Sequence, residues 1–324
     1  MTARHIAKTS VRFALHRLGG LSLLRQFRRG GVRILTYHAF SERFRPNLEQ
    51  QCRHLKRYYR PVPLRAVADS LHGGPPLPSL ALSVTVDDGY RNFLVHGWPI
   101  FRQYGIPVTV YLVSDFIDGR IWLWWNRLQY GFLNTELNRV TVSMSGQDRV
   151  FTLLSEKERR DAAEEVIEHL KLLPNIERVR RIEEILGVLD VRTPWPPPAA
   201  FEPLSWDEVR QLESEGVEFG AHTRTHPILS TVEDPLALRE EVEGSRERIA
   251  KETGSAVVHF SYPNGSINDA VVRAVAGSGF LSAVTSRMGY NRTAGNPLLL
   301  ERIPADPMLD LPYQTELISG FRQL

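Results

Sequence analysis

The sequence predicts an α/β fold, a mostly parallel sheet covered by helices. Three observations carry that expectation. Short apolar runs rich in Val, Ile and Leu recur along the chain, continuous rather than alternating, as in strands buried on both faces. Well-capped amphipathic patterns separate them. The chain has 324 residues, 42% of them hydrophobic, enough to bury a large core. Repeated strand–helix alternation gives an α/β barrel or a doubly wound sheet.

The first strand is "VRILTYHAF" (32–40), and the helix after it, "NLEQQCRHLKRYYR" (47–60), carries Leu48, Cys52, Leu55 and Tyr59 at helical spacing. "LALSVTV" (80–86) and "PVTVYLV" (107–113) follow as strands. "VEFGAHT" (217–223), "VVHFSYP" (257–263) and "FLSAVTS" (280–286) come later, and "LLERIPAD" contains a last one. The helices among them are punctuated: Ser205 and Glu208 form a capping box, and Gly216 stops that helix. Asp234 caps the next, with Pro235 at its first position and Gly254 at its end, and Asn268 precedes "DAVVRAVAGSG".

One segment breaks the rhythm. From about Asp118 to Pro203 comes an aromatic cluster, "IWLWWNRLQYGF", then two charged amphipathic helices. The first opens on the capping box Ser155/Glu158. The second shows Ile176, Val179, Ile182, Ile185 and Leu186 on one stripe. This segment reads as a helical insertion between sheet units, not as an independent domain.

Charge is unevenly spread. Eight Lys or Arg, from Arg4 to Arg33, precede the first acidic residue, Glu42, so a net charge of +3 leaves the remainder at −5. Residues 1–31 read as a basic N-terminal arm with helical character, and residues 32–324 as the α/β body. A nucleic-acid binder would show basic clusters on its folded body too, so that class is set aside. Arg25 and Arg28 interrupt the one candidate export signal, and no apolar run reaches the ~18 residues of a membrane span. The expectation is a cytoplasmic protein, or one peripheral to the inner membrane face through contact of its basic arm with anionic lipid. Packing of the arm on the body is the plainer alternative. Cys52, the only cysteine, excludes an internal disulfide and a cysteine-based zinc site, so any metal is held by His, Asp or Glu.

Chemistry-bearing groups fall at strand ends, where parallel α/β folds collect them. Asp87 and Asp88 follow "LSVTV", and Gly89 allows a sharp turn. Alone, Asp-Asp-Gly is equally a turn or a cap. "GAHTRTHP" sets His222 and His226 four apart after another strand, the spacing at which a helical turn presents two imidazoles to one ion. A polar-capped turn is the alternative there. Two imidazoles and one carboxylate leave open positions on a metal, as catalytic sites require, and free the second carboxylate to act as a base on water. "FSYPNG" (260–265) ends a third strand; Tyr262 either offers its backbone N–H to an oxyanion or packs in the core.

These stretches, in this order, resemble the polysaccharide deacetylases of carbohydrate esterase family 4, the NodB-homology family, in its exopolysaccharide-type branch. "TVDDG" resembles the family motif T-F-D-D-G, "HTRTH" its H-[ST]-x-x-H motif, and "FSYPNG" its third motif; the similarity runs from about Val32 to the C-terminus. The resemblance implies a distorted (β/α)7 barrel and removal of N-acetyl groups from an N-acetylated polysaccharide or glycan precursor. It implies that Asp87 is the general base, that Asp88, His222 and His226 bind a divalent metal, most often Zn2+ with Ni2+ or Co2+ accepted, and that the Tyr262 N–H binds the oxyanion.

Two departures mark this chain. Phe260 and Ser261 stand where many members have an Arg that pairs with the base, and Arg302 in "LLERIPAD" is the candidate substitute. The resemblance implies a late His as general acid, but no histidine follows His259 here; the best alternative donor is His38, at the end of the first strand, which a closed barrel brings beside the last. Trp125 and Tyr90 are candidate substrate contacts. Trp122 and Trp124 are read as packing residues, and His259 as part of the barrel wall. Two rival readings remain at this stage: a catalytically impaired carbohydrate-binding protein on the same barrel, and a non-haem iron oxygenase, which also uses two His and one carboxylate.

Overall fold

A computed structural model describes residues 20–27, 29–144, 146–292 and 295–321. Seven parallel strands close into a barrel: β1 (Arg33–Tyr37), β3 (Ala81–Val86), β4 (Val108–Leu112), β7 (Glu218–Ala221), β8 (His259–Ser261), β9 (Ser282–Met288) and β10 (Leu300–Pro304). Closure comes from β1, which pairs with β10 through Leu35↔Ile303 on one side and with β3 through Arg33↔Leu82 to Tyr37↔Val86 on the other. A short β2 (Arg60–Pro61) runs beside the start of β3. The expected α/β barrel is therefore the fold, and the doubly wound alternative is excluded by the closed ring.

The strand residues explain the closure. Ile34, Leu35, Leu82, Val86, Val110, Leu112 and Phe260 are fully buried, with one face of each strand toward the barrel interior and the other under helices. Each such side chain contributes roughly 1.5–3 kcal/mol on burial. The caps also form as the sequence predicts. Ser155 and Ser205 each accept from the backbone of the Glu three residues on, which reaches back to the Ser N–H. Asp234 and Asn268 accept from Leu236 and Val271.

The insertion leaves the barrel after β4 and returns before β7. Its helices Trp124–Asn134, Glu156–Leu170 and Asn175–Leu189 surround a hydrophobic core of their own that includes Leu128, Phe132, Val166 and Leu189. It is not purely helical, as the sequence led us to expect. Strands β5 (Arg139–Met144) and β6 (Gln147–Thr152) form an antiparallel hairpin. In β5, Val140 and Val142 turn inward while Arg139, Thr141 and Ser143 face out. That one-sided alternation is a strand signal. The expected apolar stripe is also corrected: Ile182, Ile185 and Leu186 are buried, but Ile176 and Val179 are exposed, and Arg178 is buried in their place.

Of the basic arm, residues 20–27 and 29–31 are described; Gly20–Phe27 is a helix that packs near the C-terminal helix Leu311–Ser319, with Arg25 over the Tyr58 ring. Residues 1–19, most of the arm, lie outside the described residues, and the expected membrane contact falls largely on them. Among the described residues no helix is long and apolar enough to cross a membrane.

Candidate active site

The strands end together at one rim, and the sequence places its polar groups there. Asp87 and Asp88 follow β3. The Asp87 N–H donates to the Tyr37 carbonyl at 2.9 Å, extending the β1–β3 ladder, and the chain then turns through Asp88 (φ 77°) and Gly89 (φ 84°). A Cβ on Gly89 would come within 2.9 Å of Ile117 and Leu112, so the close approach as well as the backbone angle selects glycine. This turn sends the two adjacent carboxylates in different directions.

Asp88 meets both histidines: its Oδ1 lies 3.6 Å from His222 Nε2 and 3.7 Å from His226 Nε2. Ligand atoms of the three, all buried, lie within 4.8 Å of one another. The imidazoles do not share a helical turn, which corrects the sequence expectation. After β7 the chain runs as an irregular loop with Thr223 (φ 69°) and His226 (φ 58°) in the left-handed region, and that double reversal brings residue 226 back to 222. Glu241 holds the loop. It accepts from the N–H groups of Arg224 and Thr225 at 2.9 Å each and from the Thr225 hydroxyl at 2.5 Å.

The donor chemistry fits a divalent cation. His222 Nδ1–H donates to the Ser261 carbonyl at 2.6 Å, which leaves the Nε2 lone pair directed at Asp88. Burial pushes its pKa down to about 4 despite the nearby Asp87, so it is neutral and able to ligate. Burial and the adjacent Asp87 together push the Asp88 carboxyl up, a cost that a bound cation offsets.

Asp87 has a different surrounding. Burial alone would raise its pKa, but Arg302 and His222 hold it well below the usual carboxylate range. Both Asp87 oxygens accept from Arg302, at 2.7 Å each, and Ser261 Oγ donates at 3.3 Å. Arg302 is fixed in turn by its Nε donating to the Thr285 carbonyl at 2.9 Å. The substitute cation anticipated in β10 is therefore in contact with Asp87. His38 Nε2 lies 3.8 Å from Asp87 Oδ2, with its side chain half exposed at the mouth.

The site opens into a groove of about 1,230 Å3, walled by His38, Asp87, Asp88, Tyr90, Trp125, His222 and His226 on the barrel side, and by Arg160, Glu164 and Lys171 of the insertion on the other. Trp125 is half-buried, its ring edge-on to His226 with centroids 4.4 Å apart. Tyr90 also lines the groove, but it is buried and its hydroxyl accepts from Asn126 at 2.6 Å. Trp122 and Trp124 are buried, as expected of packing residues. His259 sits in the barrel wall with Nδ1 2.8 Å from Ser282 Oγ.

One expectation fails. The Tyr262 N–H donates to the Val284 carbonyl at 3.1 Å, so it belongs to the β8–β9 ladder and is not free for an oxyanion. The ladder continues one residue beyond Ser261, and Pro263 turns the chain only afterwards.

A family model for polysaccharide deacetylases matches residues 75–282. The chain belongs to the polysaccharide deacetylase family. The likeness extends to solved structures of this family. IcaB from Ammonifex degensii is 18% identical with a TM-score of 0.59, covering 91% of this chain and 98% of that one. The Streptococcus pyogenes deacetylase PplD, in complex with acetate, is 16% identical with a TM-score of 0.57, covering 88% and 96%. At these identities the likeness concerns the fold. Among curated proteins, the poly-beta-1,6-N-acetyl-D-glucosamine N-deacetylase of Escherichia coli K12 is 33% identical over 60 residues, 18% of this chain and 9% of that enzyme's length.

Within this polysaccharide deacetylase, Glu241 and the Ser261 carbonyl are the site-building groups that sequence reasoning missed. Glu241 stands in an acidic helical run, "EEVEG", where nothing separates it from its solvated neighbours, and a backbone carbonyl leaves no mark in sequence at all.

Proposed function

We propose that this chain is a metal-dependent carbohydrate N-deacetylase acting on an N-acetylated polysaccharide or glycan precursor. The observation that carries the reading is the division of labour between neighbours: Asp88 with two imidazoles, and Asp87 with Arg302. The curated relative's polymer of N-acetylglucosamine supports an N-acetylated amino sugar as substrate class.

Asp88, His222 and His226 would hold the cation; two imidazoles and a carboxylate suit Zn2+, with Ni2+ or Co2+ as alternatives. Bound there, it supplies polarisation of the acetyl carbonyl and a lowered pKa for water. Asp87, kept ionised and oriented by Arg302, accepts the proton of the attacking water. His38, 3.8 Å from Asp87 Oδ2, donates a proton to the departing amine. The C–N bond breaks, giving acetate and a free amine. Trp125, half-buried in the groove wall, is the aromatic group against which the sugar would lie, and Tyr90 lines the same groove.

The reading of an impaired binding protein rested on the missing motif Arg and the missing late His. Arg302 on Asp87 and His38 at 3.8 Å from it favour the enzyme instead. A closed α/β barrel likewise disfavours an iron oxygenase. Incubating Zn2+-loaded protein with acetylated glucosamine oligomers tests the proposal: acetate and free amine in equal amounts are expected, and their absence with Zn2+, Ni2+ and Co2+ alike would refute it.

The location proposed is the cytoplasmic side of a membrane, with the basic arm on anionic lipid. The concentration of cations ahead of Glu42 supports it, and equal sedimentation with anionic and neutral vesicles would contradict it.

A further inference from the structure

A second cavity, of about 360 Å3, lies beside the groove, and Trp124 and His226 border both. Its volume falls within the range of small-molecule sites. Its walls come from the insertion and from the loop after β7, and they combine aromatic rings with cations: Trp122, Trp124 and Trp195, with Arg120, Arg127 and Arg178.

The three cations differ. Arg127 is held by Glu183, and Arg120 lies 3.6 Å from Asp115 and 3.1 Å from Asp118. Arg178 is 1% exposed and has no carboxylate partner among the described residues. Its guanidinium donates to the Asn175 side chain and, at 3.5 Å, to the Thr231 hydroxyl, both neutral, and lies 5.5 Å from the Trp124 ring centroid. Burying a charge without a counter-charge is costly. Burial lowers its pKa to about 10, so it still carries its charge at neutral pH. In the same wall the Trp124 indole N–H is buried with no acceptor.

We propose that this cavity is a subsite for a sugar unit bearing an oxyanion, a carboxylate or a phosphoryl group. The anion supplies the missing partner of Arg178, whose planar fork suits either group. Among the wall's tryptophans, Trp195, 56% exposed, offers the apolar surface that a sugar ring covers. The place of the cavity in catalysis rests on the deacetylase reading. A glycan whose acetyl group meets Asp88, His222 and His226 brings a neighbouring or branching unit to the shared wall at His226. The preferred substrate is then an acidic N-acetylated glycan rather than a neutral homopolymer.

Binding without turnover separates this inference from the deacetylase reading. Tryptophan fluorescence of the full chain is titrated with glucuronate, N-acetylglucosamine 6-phosphate and neutral N-acetylglucosamine. At least one acidic sugar should bind tenfold or more tightly than the neutral one, and which does so tells carboxylate from phosphate. Arg178→Met should abolish that preference. Asn175→Asp, which sets a carboxylate on the guanidinium at an exchange the helix start tolerates, should abolish it too. Trp195→Ala should weaken all binding at this cavity. Equal affinity for acidic and neutral sugars, or a preference that survives Asn175→Asp, overturns the proposal whether or not the protein releases acetate.

Discussion

Arg302 and Asp87, 215 residues apart in the chain, meet inside the barrel through two parallel hydrogen bonds of 2.7 Å each. The pair is buried on both sides, and barrel closure is what creates it: β10 delivers the guanidinium and β3 the carboxylate. The last strand thus supplies the cation that Phe260 and Ser261 lack beside Asp87.

Arg302→Met should therefore cost more than a charge. It leaves Asp87 buried without its counter-ion, a change of roughly 3–5 kcal/mol in stability for such pairs. It also lets the carboxyl pKa rise, so the base is no longer reliably ionised. Calorimetric melting and acetate release should both fall sharply, and Arg302→Lys, which cannot fork, should restore only part of either.

His38 is expected to act on the proton and not on the cation. His38→Ala should lower kcat about 10²–10⁴-fold, the usual scale for a positioned acid or base. Zinc affinity, measured by competition with a chelating dye, should stay as in wild type. A parallel loss of zinc would move His38 out of the proposed role.

Glu241→Gln probes the loop between the histidines. The variant keeps the shape but accepts less strongly from the Arg224 and Thr225 N–H groups, so the left-handed turn that returns His226 to Asp88 loosens. Supporting partners of metal ligands typically govern affinity by about 10–100-fold. The same dye competition should show a weakening of that order.

His259 gives a pH dependence away from the catalytic groups. Burial holds its pKa down to about 4, below its unfolded value of about 6.5. The folded state thus binds fewer protons, so this contribution to stability is present above pH ~6.5 and is lost as pH falls toward 4. At about 1.4 kcal/mol per unit the loss amounts to a few kcal/mol. Urea midpoints measured across this window should fall more steeply for wild type than for His259→Gln.

Much of this was legible in the sequence because the information is local. Continuous apolar runs marked β1, β3 and β4; Asp87, Asp88 and His222 sit one or two residues past strand ends, where a parallel barrel collects them, and His226 follows in the loop five residues past β7. Arg302 and His38 were legible only through topology, since ring closure is what makes the first, third and last strands neighbours. The rest depended on information that a residue type does not carry. The His222–His226 loop is shaped by two left-handed residues that are not glycine, and the Tyr262 N–H is taken by a ladder whose length depends on β9. The β5–β6 hairpin covers a small core on one face only, so its signal is a weak alternation amid charged residues. Arg178 lay beside apolar residues at helical spacing, and its burial follows from how the insertion sits against the loop after β7.

The most direct test counts metal and turnover together. Purified wild-type protein, Asp87→Asn and His222→Ala are dialysed against buffered Zn2+, analysed for bound metal and assayed for acetate release. The account predicts one zinc per chain in wild type and Asp87→Asn, little in His222→Ala, and turnover in wild type alone. Full zinc occupancy with turnover in His222→Ala, or full activity in Asp87→Asn, would contradict it.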